Sequence, residues 1–145
     1  MAELAVTRTI DAPPEAVFDT LTVAAGYPAY TPFRRVEMEQ EGEGRPDGAG
    51  AVRALHLVGS PLRERVIESE RPYRFVFEVL SGAPGIREYR GWQTFERVGD
   101  ATRVTYEIAF EPRVPGTGTA IGLGLRAAVA TLFVLAGREA RRLAA

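Results

Sequence analysis

The segment from Gly118 to Leu143 constrains this chain more than any other. Ile121, Leu125, Ala128, Val129, Leu132 and Ala136 recur at spacings of four, three, one, three and four. At 3.6 residues per turn they share one side of a helix. Arg126, Arg138 and Arg141 fall on the opposite arc. Pro115 and Gly116 break what precedes, and Thr117 or Thr119 supplies an N-cap hydroxyl. A helix of ~26 residues is about 39 Å long at 1.5 Å per residue, so its apolar stripe needs a large partner surface. Ala120–Ala136 is nearly all apolar and can also be read as a membrane span. Arg126, Gly122 and Gly124 interrupt it, however, and it falls short of the ~20 residues that a bilayer core requires. The expectation is a core helix, without stable membrane insertion. The two glycines cost helix stability, about 1 kcal/mol each against alanine. Either they let a strand or a ligand approach the backbone, or they sit in a frayed first turn.

The partner surface is legible upstream. Residues 3–10 alternate Leu4, Val6, Arg8 and Ile10 against Ala5, Thr7 and Thr9, which predicts a strand. Asp11 to Pro14 stops it and opens a helix carrying Val17, Phe18 and Leu21, with Glu15 in its first turn. Gly26, Pro28 and Pro32 then break the chain, and Tyr27, Tyr30 and Phe33 lie in that irregular stretch. From Arg35 to Phe110 the period is two. Strands are predicted over 35–40, 51–58, 62–69, 73–79, 86–97 and 104–110. The stretch Glu41–Gly50, Gly59–Pro61, Arg71–Pro72, Ser81–Gly85 and Gly99–Asp100 punctuate them. Tyr73, Phe75, Phe77 and Val79 share one face, as do Tyr89, Gly91, Gln93 and Phe95, and Val104, Tyr106, Ile108 and Phe110. Short connections argue for antiparallel meander pairing. A seven-stranded sheet with one apolar face needs a cover, and the terminal helix is the only long amphipathic candidate. The predicted fold is α+β, a curved sheet wrapped around that helix, with residues 1–145 as one domain.

Several absences narrow the chemistry. The chain has no cysteine, so thiol nucleophiles, thiolate metal sites and disulfides are out. All 18 basic residues are arginine, which removes lysine bases and Schiff-base chemistry. His56 is the one histidine, so a histidine-cluster metal site cannot form within the chain. Nothing calls for a cofactor. The formal charge of −1 comes from interspersed acids and bases, and no basic face points to nucleic acid. No apolar leader follows Met1, which gives the cytoplasm as the expected location.

The opening IDAPPEAVFDTL, the GAGAVRAL strand, PLRERV followed by RPYRFVFEV, and YRGWQTFERVGDATRVTYEIAFEP before the last helix resemble, in order and spacing, the START-like helix-grip superfamily. Within it the chain is most similar to the polyketide cyclase/dehydrase and lipid-transport type. That resemblance implies a deep apolar cavity between the concave sheet face and the long helix. It also implies a mouth near Tyr27, Tyr30 and Phe33, which either gate entry or plug the end of the core. The expected wall is Tyr30, Phe75, Phe77, Tyr89, Phe95, Tyr106, Ile108, Phe110, Leu125 and Leu132.

The candidate chemical groups each have a bland alternative. Arg53 and Glu64, on adjacent strands, either form a buried pair that binds or polarises a ligand carbonyl or a solvent-face pair worth well under ~1 kcal/mol. Tyr89 and Tyr106 either donate to an enolate or carbonyl oxygen or are core residues with locally bonded hydroxyls. His56 is either a general base for an aldol-type cyclisation or exposed or structural, and its parity opposes Arg53, so both cannot readily line the cavity. Trp92 falls among the charged positions, where it shields the outer face, marks a bulge or meets a second copy in a homodimer. Glu139 reads as a solvated helix end. The expected function is binding or carriage of an apolar small molecule such as a lipid, polyketide or isoprenoid. The alternatives are an aromatic polyketide cyclase or dehydratase using Arg53, Glu64, Tyr89 and Tyr106, or an interaction module with little cavity.

Overall fold

Alternation and turn chemistry produce the elements where the sequence places them. A computed structural model describes residues 1–145. In chain order the elements are β1 (Ala2–Ile10), α1 (Pro14–Thr22), a 3₁₀ turn (Ala24–Ala29), β2 (Arg35–Gln40), β3 (Val52–His56), β4 (Leu62–Glu70), β5 (Arg74–Ser81), β6 (Ile86–Val98), β7 (Ala101–Pro112) and α2 (Gly118–Ala144). The strands form one antiparallel seven-stranded sheet in the order β1-β7-β6-β5-β4-β3-β2. β1 and β2, neighbours along the chain, thus lie at opposite edges, and α1 with the 3₁₀ turn spans between them. Register shifts between Met38 and Gln40, Arg63 and Glu64, Val66 and Glu68, and Ile86 and Glu88 interrupt the ladders. Such bulges bend a strand and increase its twist, which lets the sheet curl around α2.

The concave face is the predicted apolar one. Leu4 and Ile10 of β1, Phe75 and Phe77 of β5, Phe95 of β6, and Val104, Tyr106, Ile108 and Phe110 of β7 are all buried in one cluster. Val17, Phe18 and Leu21 of α1 and Phe133 of α2 join it. Two ends differ from expectation. Tyr73 precedes β5 and is 60% exposed. β3 stops at His56, so Leu57 and Val58 belong to an exposed loop.

The seam of α2 also differs. Its buried residues are Val129, Phe133, Ala136, Gly137 and Ala140. Ala128 is exposed, and Ile121, Leu125 and Leu132 are only half-buried. The cause is where the helix lands. Its main contacts are with β1 and α1, far more than with β7, and Gly137 lies against Ile10, where an added Cβ would sit 3.8 Å from that side chain. Neither Gly122 nor Gly124 is required sterically: a Cβ at Gly122 would make ordinary contacts, and one at Gly124 would meet open space. Thr117 occupies the N-cap position, but its hydroxyl donates back to the Val114 carbonyl rather than capping the helix. By length and composition α2 could cross a membrane, with 22% of its apolar window buried. Its buried stripe nonetheless belongs to the main core of the domain.

Phe133 is fully buried while Leu123 on the same helix is 65% exposed. Phe133→Ala should therefore lower unfolding free energy by about 3–5 kcal/mol. Leu123→Ser should change it by less than ~0.5 kcal/mol. Urea denaturation followed by circular dichroism measures both.

Candidate ligand cavity

Because α2 packs toward β1 and α1, the middle of the concave face is left open. A cavity of about 1140 Å³ lies there, and 21 of its 33 lining residues are hydrophobic. Phe75, Phe77 and Val79 of β5, Tyr89 and Gln93 of β6, Tyr106 of β7 and Leu125, Val129 and Leu132 of α2 form the walls. Phe33, Leu57, Val58, Pro84 and Ala127 also border it. Val58 is 81% exposed, which marks the β3–β4 loop as part of the rim.

The polar groups cluster elsewhere on the wall. Arg53 and Glu64 are cross-strand partners on β3 and β4, both on the concave side, with Nη2 of Arg53 donating to Oε1 of Glu64 at 2.9 Å. Arg53 is 1% exposed. Its Nη1 donates to Oδ1 of Asp47 at 2.9 Å and to the Thr22 carbonyl, and its Nη2 also donates to the Tyr27 hydroxyl at 3.1 Å. The guanidinium carbon lies 5.4 Å from the Tyr27 ring centroid and 5.3 Å from that of Phe75, within reach for cation–π attraction. Burial opposes the charge of Arg53, but Tyr27, Glu64 and Asp47 together outweigh it and raise its pKa. The buried pair is real, yet its role is different from the one anticipated. Both terminal nitrogens of Arg53 are committed to the protein, so it clamps α1, the loop before β3, the 3₁₀ turn and β4 together. It has no terminal N–H to spare for a ligand carbonyl; the remaining Nε is buried without a partner.

Tyr89 and Tyr106 bring their hydroxyls to 2.8 Å of each other on the cavity wall. Gly91 makes room for this arrangement. A Cβ there would come within 2.7 Å of the Phe77 ring and 3.0 Å of the Tyr106 ring, closer than side chains tolerate. Burial raises the pKa of both phenols, and it pushes Tyr27 up to about 12. All three are therefore neutral hydrogen-bonding groups at physiological pH, not bases.

Other expected wall residues lie outside the cavity. Phe95 packs edge-on against Phe18, with centroids 5.1 Å apart; Ile108 and Phe110 are in the same core. Parity put them on the concave face correctly, but the covering elements close over that part of the sheet. Tyr30 donates to the Thr20 carbonyl and meets the Tyr27 ring edge-on; of the three aromatics before β2, Tyr27 and Phe33 reach the cavity. His56 is on the convex side, 3.1 Å from Glu37. Trp92 sits there too, half-buried, between Val76 and Glu107 on its neighbouring strands. Glu139 is not a solvated helix end: its side chain is 10% exposed and ion-paired with Arg142. Sequence reasoning missed Asp47, hidden in a turn-rich loop. The signal available was that a buried arginine needs several acceptors.

The profile of the family described as polyketide cyclase / dehydrase and lipid transport matches residues 1–144. The chain belongs to that family. No curated protein matches its sequence. Solved structures of like fold include the Zhui aromatase/cyclase from Streptomyces sp. R1128, at 21% identity and a TM-score of 0.74, covering 98% of this chain and 95% of that one. A START superfamily protein from Mycobacterium smegmatis superposes with a TM-score of 0.80 at 14% identity, covering 97% of this chain and 98% of that one. Norcoclaurine synthase from Thalictrum flavum gives 0.74 at 12% identity, covering 94% and 84%. At such identities the likeness concerns the fold, the curved START-type sheet around a long C-terminal helix.

Two outcomes follow from the polar cluster. Arg53→Ala strands Glu64 and Asp47 as uncompensated buried charges and should cost about 3–5 kcal/mol. Glu64→Gln keeps an acceptor for Nη2 and should cost less than ~2 kcal/mol; paired denaturation curves distinguish them. Tyr27, Tyr30, Tyr89 and Tyr106 all have raised pKa values. The unfolded chain thus ionises these phenols first, and their contribution to stability is full below ~10 and declines as pH rises through the folded values. In the folded protein at about pH 11, phenolate absorbance should account for at most one of the five tyrosines, with the rest appearing on unfolding.

Proposed function

We propose that the protein binds an apolar small molecule, of lipid, polyketide or isoprenoid class, in the cavity between sheet and α2. One observation carries this reading: a hollow of about 1140 Å³, with 21 of its 33 lining residues hydrophobic, lies between the sheet and α2. That is how small-molecule sites are commonly built. An unfilled hollow lined by Phe75, Phe77, Leu125 and Leu132 sacrifices packing, and a ligand restores it. Membership of a cyclase and lipid-transport family supports the same class of occupant.

A second reading has its own observation. The Tyr89–Tyr106 pair presents neutral hydroxyls inside the cavity, and Glu64 borders the same space. Such donors can stabilise an enolate oxygen during ring closure or dehydration of a poly-β-ketone. Binding requires only the hollow; catalysis requires in addition a base, and the one histidine, His56, lies on the other side of the sheet.

Titration with the neutral fluorophore N-phenyl-1-naphthylamine tests the binding reading. The protein should take up the probe, and saturation at 100 times Kd should raise stability by about 2.7 kcal/mol. Leu132→Trp, which fills the cavity from α2, should weaken binding by roughly tenfold or more while circular dichroism is unchanged. Absence of binding, or binding indifferent to Leu132→Trp, would contradict the reading. The cyclase reading predicts turnover of a poly-β-ketone analogue that is lost in Tyr89→Phe.

A further inference from the structure

Gln93 is out of character with its surroundings. It stands on the concave face of β6, opposite Phe75 on β5 and Tyr106 on β7. It is 3% exposed and lines the cavity. Its Oε1 is buried with no hydrogen-bond partner. Tyr89 and Tyr106 share a hydrogen bond with each other and Glu64 accepts from Arg53, and no group of the wall reaches Oε1 of Gln93. A buried acceptor left unpaired is unfavourable, and an apolar side chain of similar length would remove that cost. Nothing in the packing of the fold explains the amide, whereas a ligand group would.

The rim of the same cavity has the opposite character. Leu57 and Val58, which border it, are 49% and 81% exposed, as is Gly124 of α2, where a side chain would meet open space. The hollow thus carries an unpaired acceptor at Gln93 on β6 and, at its rim, apolar Leu57 and Val58 beside Ser60 and Arg113. We infer that Gln93 is a specificity-determining residue, which holds the hydroxyl of a ligand whose apolar body extends toward the rim. The ligand class is an alcohol or phenol on a fused-ring or long-chain skeleton. A hydroxyl both donates and accepts, so it pairs with Oε1 or, after a half-turn of the amide, with Nε2. A methyl group in its place displaces water without replacing any hydrogen bond and loses affinity.

This inference rests on the cavity being a small-molecule site, and the test separates the two. Calorimetric titration compares 4-phenylphenol with 4-methylbiphenyl, which match in shape and differ in one polar group. The wild-type protein should prefer the phenol by about tenfold. Gln93→Leu should reduce the preference to about twofold or less and bind the methyl probe at least as tightly, with a melting temperature unchanged or higher. Gln93→Met, unbranched, gives the same readout should the branched side chain disturb folding. Leu123→Ser, on the exposed side of α2 and outside the cavity lining, should keep the preference. The inference is overturned if the preference survives in Gln93→Leu and Gln93→Met, if it disappears equally in Leu123→Ser, or if the wild type binds both probes equally. Failure of both probes to bind the wild type would remove the binding reading itself, and this inference with it.

Discussion

The contact between the second half of α2 and the β1–α1 corner governs this structure. Val129, Phe133, Ala136, Gly137 and Ala140 are the buried residues of the helix, and they lie within its last four turns. Small residues at 136, 137 and 140 let the helix come close to Ile10, and Phe133 fills the remaining space. With that end anchored, the first half runs over the concave face without descending onto it. Ile121 and Leu125 there remain half-buried and line the hollow, as does Leu132 on the cavity side of the anchored half. Register shifts in the β4–β5 pairing add twist and bend to the sheet. The cavity is thus a consequence of anchoring at one end and curvature below.

Stability around a hollow must come from elsewhere. The packed core of β1, β7, α1 and the end of α2 supplies apolar burial. The Arg53 clamp supplies connection at the other end, beside the packing of Leu55 against Ala24 and Tyr27. One guanidinium joins Thr22, Tyr27, Asp47 and Glu64. Desolvating these ions is costly, and their mutual attraction offsets it because the geometry satisfies both terminal nitrogens. The clamp thereby fixes the 3₁₀ turn, which carries Tyr27 on the cavity wall. Glu64, restrained by the same clamp, borders the cavity as a fixed charge.

The architecture was legible because a period of two survives almost unbroken from Arg35 to Phe110, and breaker residues mark each turn. Parity placed Phe75, Phe77, Tyr89 and Tyr106 on one face, and left Arg53 and Glu64 between a buried pair and a solvent-face pair until the register of β3 and β4 decided it. It could not say how far along each strand the cover extends, which is why Phe95, Ile108 and Phe110 were assigned to the wall when they are sealed in the core. The register of α2 failed for a related reason. In a segment so uniformly apolar, periodicity does not choose between Ala128 and Phe133; the docking surface does. Tyr30 and Asp47 lie in irregular backbone, where no period predicts direction. Gln93 shares the inward parity of Tyr89 and Phe95, where an amide breaks the apolar pattern of its neighbours.

Native-state amide hydrogen exchange along α2, with and without a saturating apolar ligand, tests the anchored-end account most directly. The account predicts that amides of Val129–Ala140 open only with global unfolding, that those of Ala120–Ala128 open at lower free energy, and that ligand slows exchange chiefly in the latter group. Uniform protection along the helix, indifferent to ligand, would contradict it.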